Sequence, residues 1–168
     1  MKTTKKIALS AILIALALGL SYTERFIPLQ LVIPLPGIKL GLANIVTLVA
    51  LCLLGWKDTL WIVVLRCMMG AIFGGGITGL LFSMTGGLLS LAVMVLAEKI
   101  KKLSIYGISI LGAAAHNIGQ ICAAMALMQT VYIGAYLPYL LIVALFTGFA
   151  TATAAAGILK ILPKVIKR

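Results

Sequence analysis

Acidic side chains are almost absent. Glu24, Asp58 and Glu98 are the only carboxylate-bearing residues among 168. They do not cluster, so nothing here resembles a magnesium-diphosphate site. None lies inside an apolar run, which removes the intramembrane proton relay that a self-sufficient pump or ion-coupled carrier uses. Charge of either sign is scarce: 10% of residues are charged and 63% are hydrophobic, with a mean hydropathy of +1.22. Soluble domains are about half apolar and about a quarter charged. The chain therefore reads as an integral membrane protein with no room for a soluble catalytic domain. It has no Walker A sequence, no HExxH and no GxSxG. Cys52, Cys67 and Cys122 are odd in number, contain no CxxC and lie in apolar runs. They read as small buried thiols rather than a disulfide or metal site. Neither an enzyme, nor a cofactor, nor a metal is expected.

What is present is mostly hydrophobic segment and basic flank. A net charge of +11 would suggest nucleic acid in a soluble protein. Here the basic residues border apolar segments, so membrane topology accounts for them and no nucleic-acid partner is expected. The start, Met1–Lys6 then Ile7–Leu20, imitates a signal peptide but lacks a small-x-small cleavage site. It is read as a retained first helix. Transmembrane helices are expected at about 7–22, 40–54, 59–73, 77–97, 104–130 and 132–159. The first three are short for a bilayer that needs about 20 residues per span. With the N-terminus inside, Lys2, Lys5, Lys6, Lys57, Lys99, Lys101, Lys102, Lys160, Lys164, Lys167 and Arg168 are all cytoplasmic. Only Arg25 and Lys39 fall outside, with Arg66 inside a span. This bias gives an all-α bundle of six transmembrane helices, a single domain over 1–168, with both termini cytoplasmic and a multi-pass location in the cytoplasmic membrane.

Arg66 sits in the middle of the run Leu60–Phe73. A charge at bilayer depth costs about 2.5–3.5 kcal/mol on insertion scales, so such a residue usually faces a polar interior, a partner or a ligand. In the charge-derived topology Arg66 and His116 lie near mid-depth. Asn117 and Gln120 lie further out, Asn44 in the outer third of the second helix, and Glu24 and Lys39 at the outer end. His116 and Gln120 are four apart and share one helix face. One outward-facing polar pocket accounts for all seven as a substrate site. A purely stabilising pairing of Arg66, or an interhelical role for His116, is the alternative. With Glu24 as the sole counter-charge, the pocket is positively biased. That favours a carboxylate or phosphate, which Arg can hold bidentately. Trp61, Phe73, Tyr132, Tyr136, Phe26 and Ile27 are candidates for apolar contact.

The segment Glu24–Leu40 carries Pro28, Pro34 and Pro36, which prevent a regular helix. It is an outer loop over 24–39, either an interfacial connector or a lid above the pocket. Small residues form a further pattern. Ala8, Ala11, Ala15 and Gly19 recur on one face of the first helix, and Ala11-x-x-x-Ala15 is a close-packing spacing for membrane helices. It serves either the bundle itself or another subunit. Gly74-Gly75-Gly76 reads as a tight turn between the third and fourth helices.

The stretch PGIKLGLANIVTLVALCLLGWKDTLWIVVLRCMMGAIFGGG and the later AAAHNIGQ resemble the family called heptaprenyl diphosphate synthase component I, also known as the Gx transporter family. The likeness covers nearly the whole chain. More distantly, six short helices and the alanine face of the first resemble the substrate-binding S components of energy-coupling factor (ECF) transporters. That resemblance implies that Ala11 and Ala15 dock a transmembrane T component. It also implies that substrate binds near the outer face, under the loop Pro28–Lys39, and that partner ATPase subunits supply the energy. A prenyl diphosphate synthase uses aspartate-rich motifs, and this chain has none. The expectation is an S-component-like subunit importing a small, anionic or amphipathic compound, vitamin-like or related to isoprenoids or quinones. The alternative is a non-catalytic membrane accessory subunit of a heptaprenyl diphosphate synthase or quinone-biosynthesis system.

Overall fold

The structure, a computed structural model, describes residues 3–26, 39–100 and 102–166. The proline-rich stretch with Ile27, Pro28, Pro34 and Pro36, expected to form a lid, lies outside the described residues. Among those described the chain is helical throughout. The helices are α1 (Thr3–Thr23), α2 (Asn44–Leu54), α3 (Trp56–Gly70), α4 (Gly76–Glu98), α5 (Ile105–Met128) and α6 (Leu137–Ile166). Short 3-10 turns follow α1 at Glu24–Phe26 and precede α6 at Val131–Tyr136.

Four helical stretches are long and apolar enough to cross a membrane: Thr3–Thr23, Trp56–Glu98, Ile105–Met128 and Val131–Ile161. The chain therefore fits a multi-pass membrane protein. The second stretch has 43 residues and would run about 65 Å if straight, twice the hydrocarbon thickness. It breaks at a π-type turn, Ala71–Gly75, where Phe73 leaves helical geometry and Gly74 takes φ 100°. Gly76 follows at φ 61°. Side chains other than glycine rarely adopt these values. The break folds α4 back on α3, so that Gly87 lies against Val63 and Arg66. The loop between α2 and α3 is a single residue, Gly55, at φ 82°.

Several expected boundaries shift. The second helix begins at Asn44 rather than 40, because Gly41 takes φ 83° and the chain turns through residues 41–43. At 11 residues, α2 spans about 16 Å. The third helix runs 56–70 rather than 59–73, because Gly55 ends one helix and starts the next. The last expected segment opens with the 3-10 turn rather than with an α-helix. Of the three cysteines expected to be buried, only Cys67 is; Cys52 and Cys122 face outward.

Packing relies on small residues. Hydrophobic burial gives little drive between helices in lipid, so close backbone approach has to supply contact. A methyl group added at Gly119 of α5 would lie 2.7 Å from the Thr85 carbonyl of α4, and one at Gly148 of α6 would lie 2.6 Å from Ile110 Cα of α5. The largest buried cluster joins Leu9, Leu13 and Ala17 of α1 to α2, α3 and α4. A second one joins Phe82, Ile121, Ala124, Ile133 and Leu140. The exterior carries large apolar side chains such as Ile12, Leu16, Trp61, Ile77 and Phe146, as lipid contact requires. A salt bridge of 2.8 Å between Lys6 and Asp58 ties the start of α1 to the start of α3.

Candidate functional site

The bundle interior holds an unusual concentration of polar side chains. Glu24, Asn44, Arg66, Ser83, Ser90, His116, Asn117 and Gln120 are all buried, with Arg66 only 5% exposed. They come from the end of α1, the start of α2 and the middles of α3, α4 and α5. Burying this many polar groups in an apolar exterior is tolerated only where they satisfy one another or something else.

Some are satisfied by the protein. Leu42 donates its backbone N–H to Glu24 Oε1, so the carboxylate ties the turn after α1 to the bend that leads into α2. The first N–H groups of α2 are taken by that bend itself: Asn44, Ile45 and Val46 donate to the carbonyls of Gly41, Leu42 and Ala43. Burial pushes the Glu24 carboxyl above its ordinary range, opposed by the Leu42 N–H and by the charges of Lys39 and Arg66. Lys39 is fixed at both ends: its backbone N–H donates to Gln120 Oε1 at 3.2 Å, and its ammonium donates to Ser83 Oγ at 3.2 Å. That first bond orients the Gln120 amide, so its Nε2 faces His116 Nε2 at 2.8 Å. The amide donates, His116 Nε2 accepts, and the ring proton is therefore assigned to Nδ1.

Others find no partner among the described residues. Arg66 Nε and Nη2, both polar atoms of the Asn44 amide, His116 Nδ1 and Ser90 Oγ are buried without a hydrogen bond to any of these. His116 Nδ1 faces the Gly86 backbone without reaching bonding geometry. Each orphaned group costs about 1–3 kcal/mol, and more for a charged one. Glycines bring them together. A methyl at Gly41 would sit 3.0 Å from Asn44 Nδ2 and 3.0 Å from the His116 ring. At Gly86 it would sit 2.9 Å from His116 Nδ1, and at Gly87 3.0 Å from Arg66 Nη2. Adjacent glycines on α4 thus give the imidazole and the guanidinium room side by side.

Glu24, Lys39, Asn44, Arg66, His116 and Gln120 belong to this cluster. Asn117 is committed elsewhere: its amide donates to the Leu140 carbonyl at 2.8 Å and joins α5 to α6. Sequence reasoning missed Ser83, Gly86, Gly87 and Ser90. Their spacing of three and four is the signal, since it draws one small, weakly polar stripe along α4.

A cavity of about 390 Å³ adjoins the cluster at Lys39, lined also by Tyr22, Gly70 and Phe73, with Ala15 and Gly19 of α1. Most of the aromatic residues expected to contact a ligand lie elsewhere. Trp61 and Tyr132 are exposed, and Phe26 is exposed against Tyr22. Tyr136 packs in the second apolar cluster. These rings sit where lipid or interface surrounds the chain, as amphipathic rings at helix ends commonly do. Ala8, Ala11, Ala15 and Gly19 are exposed on α1, which buries Leu9, Leu13 and Ala17 instead.

Among the described residues no group of three His, Cys, Asp or Glu side chains can hold a metal ion. A family profile described as "Heptaprenyl diphosphate synthase component I" matches residues 13–158. No curated protein and no solved structure matches the chain.

Proposed function

The chain belongs to the heptaprenyl diphosphate synthase component I family, and from that premise we propose that it is a non-catalytic membrane subunit that captures a small anionic compound in the Arg66 cluster, as the S-component-like subunit of an ECF-type importer. The observation that carries this is the Arg66 guanidinium, buried with Nε and Nη2 unpaired among the described residues. A fold gains nothing from that arrangement alone. Bidentate pairing with a ligand carboxylate or phosphate removes the penalty. Asn44, His116 and Ser90 offer further unpaired hydrogen-bonding groups, and Lys39 and Gln120 hold the edge of the site. The membrane frame is six spans with both termini cytoplasmic, in the cytoplasmic membrane, supported by the distribution of basic residues. Exposed Ala11 and Ala15 dock a T component that works with ATPase subunits.

Native mass spectrometry of the purified protein tests the capture reading. A copurified small molecule is expected on the wild type and absent from Arg66→Ala. A chain without ligand, whose Arg66→Ala variant changes only in stability, would sink it. Docking has a separate test: Ala11→Leu with Ala15→Leu should abolish copurification with an ECF module and leave the fold intact, because both positions are exposed.

The family description favours a second reading, an accessory membrane component of a heptaprenyl diphosphate synthase. Copurification with a soluble prenyltransferase subunit, unaffected by Arg66→Ala, would support it over import.

A further inference from the structure

The charges around Arg66 restrict what the site can hold. Among the described side chains there, Arg66 and Lys39 are the basic groups and Glu24 the acidic one, its carboxyl pushed above the ordinary range by burial. Residues 27–38, which lead from the first 3-10 turn to Lys39, contain no ionisable side chain. Glu24 already accepts from Leu42, and Lys39 already donates to Ser83. Among the described side chains, the charged atoms buried without a hydrogen bond are those of Arg66. The other orphaned atoms, on Asn44, His116 and Ser90, belong to neutral groups.

We infer that the ligand is a small, singly charged carboxylate with an apolar body, and not a diphosphate ester. The inference rests on the capture reading above and narrows it. A carboxylate matches the planar fork of one guanidinium and offsets its charge. Asn44, His116 and Ser90 then serve uncharged groups of the same molecule. A diphosphate carries several negative charges, and most would stay buried without a partner, which low-dielectric interiors penalise heavily. No acidic cluster is available among the described residues to hold a metal that would offset them. Size agrees. The adjoining cavity, about 390 Å³, is at the small end of ligand pockets, about 300–1,000 Å³. It has room for a short apolar body beside Lys39.

A matched pair of probes separates the classes: geranate and geranyl diphosphate share one isoprenoid body and differ in the head. Each is titrated against the full chain in detergent at fixed ionic strength, with the unfolding midpoint as readout. Geranate should raise the midpoint saturably, and the diphosphate by less at equal concentration. Arg66→Gln should weaken the geranate effect about tenfold or more, as loss of a charged hydrogen-bonding partner does. If that variant fails to fold, Asn44→Asp serves instead, since an added carboxylate compensates Arg66 and should abolish the geranate shift. A diphosphate shift equal to or larger than that of geranate overturns the carboxylate class and leaves anion capture standing. No shift with either probe, in the wild type as in Arg66→Gln, overturns both.

Discussion

Glu24 does two jobs with one carboxylate. It accepts the Leu42 N–H before α2, and it faces Lys39 and Arg66, whose charges oppose the upward push of burial on its pKa. Its proton affinity is raised above the ordinary value of 4.5, with burial as the largest cause. Between 4.5 and that raised value the folded protein holds a proton that the unfolded chain releases. The stability gained from the neutral acid is complete below 4.5 and is lost as pH rises through the raised value. Thermal melts from pH 4.5 toward neutrality should therefore show the wild type losing stability relative to Glu24→Gln. Parallel curves would disprove the assignment. Arg66 is legible in the sequence because a charge inside an apolar run has few physical explanations. The Glu24–Leu42 bond is not, because its partners lie 18 residues apart across a proline-rich stretch. The fixed tautomer of His116 is equally illegible: it depends on a backbone N–H from Lys39, 81 residues from Gln120.

The α4–α5 contact carries the site, since it sets His116 against Gly86 and Gly119 against Thr85. Gly119→Ala would push a methyl within 2.7 Å of the Thr85 carbonyl. Backbone cannot yield as a flexible side chain can, so a loss of about 1–3 kcal/mol is expected. Gly79, also on α4, has nothing within 4 Å of an added methyl. Gly79→Ala should gain up to about 1 kcal/mol, because it removes freedom from the unfolded chain at no steric cost. Measuring both by reversible unfolding in detergent checks the contrast, and equal effects would refute it. Helix existence follows from apolar runs and is legible from sequence. Boundaries are less so. Leu40 continues the apolar pattern of α2, yet Gly41 takes a left-handed conformation and the helix waits until Asn44. Pattern reports which face is apolar, not where φ changes sign.

At the scale of the whole molecule, apolar side chains cover the outside, and a polar cluster sits within beside two buried apolar clusters. The proposed cytoplasmic placement of the C-terminus is open to a direct check. Green fluorescent protein fused after Arg168 should fluoresce, and alkaline phosphatase fused there should be inactive; the reverse pattern would invert the topology. Composition alone makes membrane residence legible. The convergence of α1, α2, α3, α4 and α5 on one charge is not, because it depends on glycine contacts between helices rather than on any one segment. The broken stretch Trp56–Glu98 also bears on how the protein is made. At 15 residues, α3 is too short to cross on its own and carries Arg66, which disfavours partitioning from the translocon into lipid. Joined to α4 by the turn at Gly74, it can enter the bilayer as half of a hairpin, with Gly87 already covering the guanidinium. Biogenesis would then release the two helices together, and a substitution that straightens the turn would strand the first of them at the membrane surface.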